Sequence, residues 1–90
     1  MTNQIGTSQT GQTTEDIVVV AIAAQLDSDR DDIDLDIPML ALPGMESILL
    51  LRAIAEIEDV SGVLIPDDAL VETVTVRDLV ALVTELQERG

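Results

Sequence analysis

Chemistry in this chain has few side chains to run on. The sequence contains no His, Cys, Tyr or Lys. A serine hydroxyl therefore has no imidazole or amine of its own chain to take its proton, and a Ser-His-Asp triad is excluded. Hydroxyls and carboxylates remain. Two carboxylates can share acid and base work only in a cleft that pushes their pKa values apart. With no Phe or Trp either, such a walled cleft, or any deep ligand cavity, is not expected. Among the hydroxyls, Ser47 stands apart. It follows Gly44-Met45-Glu46 and leads into the apolar run Ile48-Leu49-Leu50-Leu51. Its hydroxyl would lie at a helix N-terminus, where unpaired N–H groups and the helix dipole favour negative charge. The plainer reading of the same residue is an N-cap serine.

One acidic run invites a metal reading and fails it. Asp27-Ser28-Asp29-Arg30-Asp31 begins like a calcium loop, but Asp32 stands at the turn glycine and Pro38 at the bidentate glutamate. A solvated acidic loop is the expectation, with no metal site.

The elements that must position Ser47 can be read from spacing. Thr13 with Asp16 three residues on resembles a helix start, and Ile17, Val20, Ala21 and Ala24 repeat at the i, i+3, i+4, i+7 spacing of one helical face. The first helix is expected to end near Leu26. The β-branched run Ile17 to Val20 could form a strand, but it continues without a break into the helix-favouring Ala21 to Leu26. Residues Asp27 to Gly44, punctuated by Pro38, Pro43 and Gly44, read as a long connection pinned by Ile33, Leu35, Ile37, Leu40 and Leu42. A second helix is expected from Glu46 or Ser47, burying Leu50, Ala53, Ile54 and Ile57, with Gly62 closing the region that follows it. Pro66-Asp67-Asp68 opens a short helix through Val71, and Thr75 with Asp78 opens the last, whose core face is Leu79, Leu82, Val83 and Leu86.

The expected fold is therefore all-α: a four-helix bundle with three main helices, one short helix and a long loop between the first two. Ninety residues support a single core. Residues 1–12 offer almost nothing apolar to bury and are expected to be a disordered tail ahead of a domain spanning 13–90. The net charge of −14 opposes nucleic acid and anionic membrane surfaces and favours basic protein patches. No secretion signal, membrane span or cysteine chemistry is evident, so a cytoplasmic monomer is the expectation.

The segment Gly44-Met45-Glu46-Ser47-Ile48-Leu49-Leu50-Leu51-Arg52 resembles the attachment motif of the acyl and peptidyl carrier proteins, in which Gly, any residue, Asp, Ser and Leu head the second helix. With Ser47 aligned, Val63-Leu64-Ile65-Pro66 falls on the family's apolar-Pro step, and Thr75-Val76-Arg77-Asp78-Leu79 on the opening of its fourth helix. The resemblance spans roughly Thr14 to Leu86. It implies an acyl-carrier-type bundle with no catalytic residue, carrying 4'-phosphopantetheine transferred from coenzyme A to Ser47. The arm would hold acyl, aminoacyl or polyketide cargo as a thioester. The implied partners are a phosphopantetheinyl transferase and then an acyltransferase, adenylating enzyme, ketosynthase or condensation enzyme, met through basic patches. Glu46 departs from the family's usual Asp, and Pro43 adds a residue before Gly44.

With the buried stripe turned inward, Ile48, Leu49, Leu51 and Ala55 are expected near the surface beside Ser47, a docking face. Met45, Glu46, Arg52, Glu56 and Asp59 are counted with it; Arg52 and Glu56 could equally form a weak ion pair on a solvated surface. Leu49 and Arg52 stand where fatty-acid carriers often have acids, so the run is closer to free-standing carriers of polyketide or nonribosomal peptide assembly. The alternatives are a housekeeping fatty-acid carrier and an unmodified acidic helical adaptor.

Overall fold

The structure, a computed structural model, describes residues 13–89. The expected tail at residues 1–12 lies outside them. Four helices follow one another: α1 Thr14–Leu26, α2 Ser47–Ser61, α3 Asp67–Val71 and α4 Val76–Arg89. No strand occurs among the described residues, whose single β contact is an isolated antiparallel bridge between Pro38 and Thr75. The all-α bundle read from the sequence is the one observed.

Helix α1 starts where the Thr-x-x-Asp pattern places it. The Asp16 N–H donates to Thr13 Oγ1 at 3.1 Å and the Thr13 N–H to Asp16 Oδ2 at 3.4 Å, a reciprocal capping box. Its buried face differs from the expected one. Val18, Val19, Ala21, Ile22 and Ala23 are buried, whereas Val20 and Ala24 are exposed and Ile17 is half-buried. Every residue from Ile17 to Ala24 is apolar, so the pattern carries no phase, and packing against α2 and α4 chooses the face.

The core formed by those three helices is entirely aliphatic. Ile22, Ile57, Leu79, Val18, Val19, Val76 and Val83 are fully buried, and no buried residue among those described is polar or charged. Ala53, Ile54 and Ile57 supply the α2 stripe as expected, with Leu50 half-buried beside them. Leu79 and Val83 supply that of α4, flanked by half-buried Leu82 and Leu86. The interior offers no polar group for chemistry, which confines function to the surface.

The connection from α1 to α2 is more ordered than its sequence suggests. It contains two 3-10 turns, Arg30–Asp32 and Met39–Ala41. Ile33 and Leu42 anchor it in the core as expected, together with Met39, but Leu40 is exposed. Backbone bonds stitch it to the start of α4: the Met39 N–H donates to the Val74 carbonyl at 2.8 Å and the Arg77 N–H to the Leu35 carbonyl at 3.0 Å. Arg77 also grips Asp36 with Nε and Nη2 at 2.7 and 3.2 Å. The other end is tied to α1 by an Arg30–Asp16 ion pair.

Candidate functional site

Ser47 owes its position to the turn before it. The Met45 N–H donates to the Leu42 carbonyl at 2.9 Å, closing a four-residue turn with Pro43 second and Gly44 third at φ +84°. Pro suits the second place of a type II turn and glycine the third, where φ is positive. Pro43 is thus a turn-former rather than a disturbance. Leu42 and Met45, at the two ends of the turn, are both buried, so the chain re-emerges at Glu46 and enters α2 with Ser47 exposed.

Met45, counted above with the docking face, is only 9% exposed and belongs to the core. The alternation after the turn explains this: residue 45 anchors inward so that residues 46 and 47 can face out. Ile48 and Leu51 are 52% and 55% exposed as expected, and Glu46, Arg52, Ala55, Glu56 and Asp59 are exposed too. Leu49 is half-buried against the core. Ile48, Leu51, Arg52, Ala55, Glu56 and Asp59 lie along one side of α2, opposite Ala53 and Ile57, with Ser47 at its N-terminal edge.

Ser47 is the first residue of α2, not its cap; Glu46 occupies the cap position and its side chain accepts no capping hydrogen bond. The first intrahelical bond runs from the Leu50 N–H to the Glu46 carbonyl at 2.9 Å. The N–H groups of Ser47, Ile48 and Leu49 therefore lie ahead of the helical ladder. The first turn of α2 carries no acid, whereas those of α1, α3 and α4 carry Glu15 and Asp16, Asp67 and Asp68, and Asp78. An exposed hydroxyl and three N–H donors ahead of the ladder, in a first turn that holds no acid, fit a phosphodiester at this point.

Residues that sequence spacing did not bring together complete the surroundings. Leu50, one turn after Ser47, lines an apolar hollow of about 290 Å³ with Pro38, Met39, Leu40, Leu70, Val71, Thr73 and Val74. Val71 is 82% exposed on its rim, an apolar residue on the very short α3 that could have signalled the hollow. The hollow is half-open at the surface rather than a deep cavity, formed by α3 and the stitched loop from segments far apart in sequence. The Asp-rich run 27–32 gathers no group of three or more potential metal ligands, nor does any other part of the described chain.

The family model for the phosphopantetheine attachment site matches residues 16–83. The chain belongs to that family. It is a phosphopantetheine carrier domain, and the group it takes is covalently bound 4'-phosphopantetheine. Such carriers work with partner enzymes such as a phosphopantetheinyl transferase and are in general non-catalytic themselves, in keeping with a chain that has no His, Cys or Lys. No curated protein matches the chain. None of its described helices is long and apolar enough to cross a membrane.

Proposed function

We propose that Ser47 is the residue that carries the arm, and that the carrier presents acyl, aminoacyl or polyketide intermediates to enzymes of polyketide or nonribosomal peptide assembly. The observation that supports the attachment is the exposed Ser47 at the head of the one long helix whose first turn is neither capped by a side chain nor acidic. A transferase forms the bond between Ser47 Oγ and the pantetheine-bearing phosphorus of coenzyme A. The hydroxyl proton and the nucleotide half of coenzyme A leave. Once attached, the arm supplies a thiol that holds cargo as a thioester. The chain's own contribution is to hold the hydroxyl outward, to offer N–H donors to the phosphate oxygens, and to present Ile48, Leu51, Arg52, Ala55, Glu56 and Asp59 for docking.

The assembly-line reading rests on the start of α2. From Ser47 to Ala55 its only charged residue is Arg52, so contact there is mainly apolar, while the acids of the loop and α3 contribute to the chain's net charge of −14, which draws basic partner patches from a distance. The hollow beneath Leu50 supports a second reading, a fatty-acid carrier that shelters an alkyl chain. Cargo on protein purified from its native cells separates the two: aminoacyl or polyketide chains support the first, long saturated chains the second.

Attachment is tested by intact-protein mass after incubation with coenzyme A and a broad-specificity phosphopantetheinyl transferase. A gain of one phosphopantetheine in the parent and none in Ser47→Ala is expected. A gain that persists in Ser47→Ala moves the arm elsewhere. No gain in the parent, with the transferase active on another carrier, favours an unmodified adaptor.

A further inference from the structure

The chain has four arginines for eighteen acids. Three are engaged: Arg30 pairs with Asp16, Arg77 with Asp36 and Arg89 with Glu85. Arg52 forms no ion pair among the described residues. Its nearest acid along the helix, Glu56 at i+4, stands in the weaker order for such a pair, with the cation N-terminal to the acid. In a protein so rich in carboxylates, the single exposed cation left without one among the described residues lies just over one turn from Ser47, flanked by exposed Ile48, Leu51 and Ala55.

A transferase surface of ordinary size placed around Ser47 extends over the exposed side of α2 that holds Ile48, Leu51, Arg52 and Ala55. Before the arm is attached, the Ser47 hydroxyl itself has to enter the transferase active site. Five residues along a helix is only about 7.5 Å, whereas a standard interface covers roughly 800 Å² per partner. Arg52 therefore loses water on docking, and its apolar neighbours cannot compensate it. An unpaired charge buried in this way is strongly unfavourable, and a basic patch placed over it adds like-charge repulsion.

Taking Ser47 as the attachment site, we infer that Arg52 is a specificity determinant for modification: the transferase meets this face with an apolar surface carrying a carboxylate directed at Arg52. Basic partner patches are left to the rim, where the acids lie. Arg52 takes no part in bond making; it positions the helix so that Ser47 Oγ reaches the phosphorus.

The test is the initial rate of modification of the full 90-residue chain by the broad-specificity transferase with coenzyme A. The parent is compared with Arg52→Glu, Arg52→Lys and Arg89→Glu, the last changing net charge equally but far along α4. Helical content by circular dichroism confirms that each is folded. Arg52→Glu is expected to lower kcat/KM about tenfold, chiefly through KM, while Arg52→Lys and Arg89→Glu stay within about threefold of the parent. The gap between parent and Arg52→Glu narrows with added salt, as screening predicts. A rate for Arg52→Glu equal to or above the parent's overturns the inference, as do equal losses in Arg52→Glu and in either comparison variant. Endpoint mass keeps the two claims apart: full modification of Arg52→Glu at long times leaves the Ser47 assignment standing whatever the rates, and no gain in the parent removes both.

Discussion

Helices α1 and α4 begin in one way and α2 in another. At α1, Thr13 and Asp16 bond each other's backbone; at α4, Thr75 Oγ1 accepts from the Asp78 N–H at 3.0 Å while Asp78 accepts from Thr75 and Val74, each at 3.2 Å. Both starts are closed by a Thr–Asp side-chain cap and carry acids in their first turn. The start of α2 has neither device and instead has a Pro-Gly turn that turns Ser47 outward. With the arm on Ser47, as proposed, the side-chain caps of α1 and α4 contribute stability while the uncapped start of α2 is left for the phosphate, so a small bundle can carry a group without a pocket built around it.

The largest test of that contrast exchanges the two kinds of start. Ser47→Ala abolishes phosphopantetheine uptake by mass yet changes stability by less than about 0.5 kcal/mol in urea unfolding, because the side chain is exposed and caps nothing. Thr13→Ala and Thr75→Ala behave in reverse. Each costs about 1 kcal/mol, roughly 4–8 °C in Tm for a domain of this size, and leaves the extent of modification unchanged. A Ser47→Ala variant that melts as early as Thr75→Ala would erase the distinction between the ends.

Acid titration separates the ends by a smaller margin. The N–H groups of Thr75 and then Val74 hold the Asp78 carboxyl below the ordinary aspartate value, and the Arg77 guanidinium does the same for Asp36. A lowered folded pKa contributes stability that is present above the unfolded value and is lost as pH falls through the folded one. From neutral pH down through the carboxylate range, the parent is therefore expected to lose more stability than Asp78→Asn, which has no such proton to bind. The relief of self-repulsion on protonating the other acids is common to both proteins, so the difference between their curves isolates the cap. Parallel curves would show that Asp78 contributes nothing by its charge.

Much of this was legible in the sequence because it is local. Thr13 with Asp16, Thr75 with Asp78, Pro66 before α3 and Gly62 after α2 each act within a few residues, and the aliphatic spacing of α2 and α4 has a phase that only a helix satisfies. The face of α1 was not legible, since a run with apolar residues all round points nowhere until α2 and α4 pack on it. Met45 looked like a neighbour of Ser47 and is instead the anchor that exposes it, a difference of one residue in a turn. The hollow under Leu50 needs the loop stitched to Val74, a contact between segments far apart in the chain, which no local pattern announces.

The smallest expected effect tests whether the open start is a choice or an accident of one methylene. Glu46 sits at the cap position with a side chain that makes no capping bond, and aspartate, one carbon shorter, is among the best caps because its carboxylate reaches the second or third N–H. Glu46→Asp should therefore close the end partly and stabilise the unmodified protein by about 0.5–1 kcal/mol. It should also lessen what modification adds: a phosphodiester at the open parent end is expected to contribute roughly 0.3–1 kcal/mol through the dipole and free donors, and less once an aspartate already occupies them. Urea unfolding of the modified and unmodified forms of both proteins measures the four stabilities. If the gain on modification is the same in Glu46→Asp as in the parent, the phosphate and the cap do not compete for the same N–H groups, and the uncapped start of α2 does not serve the arm.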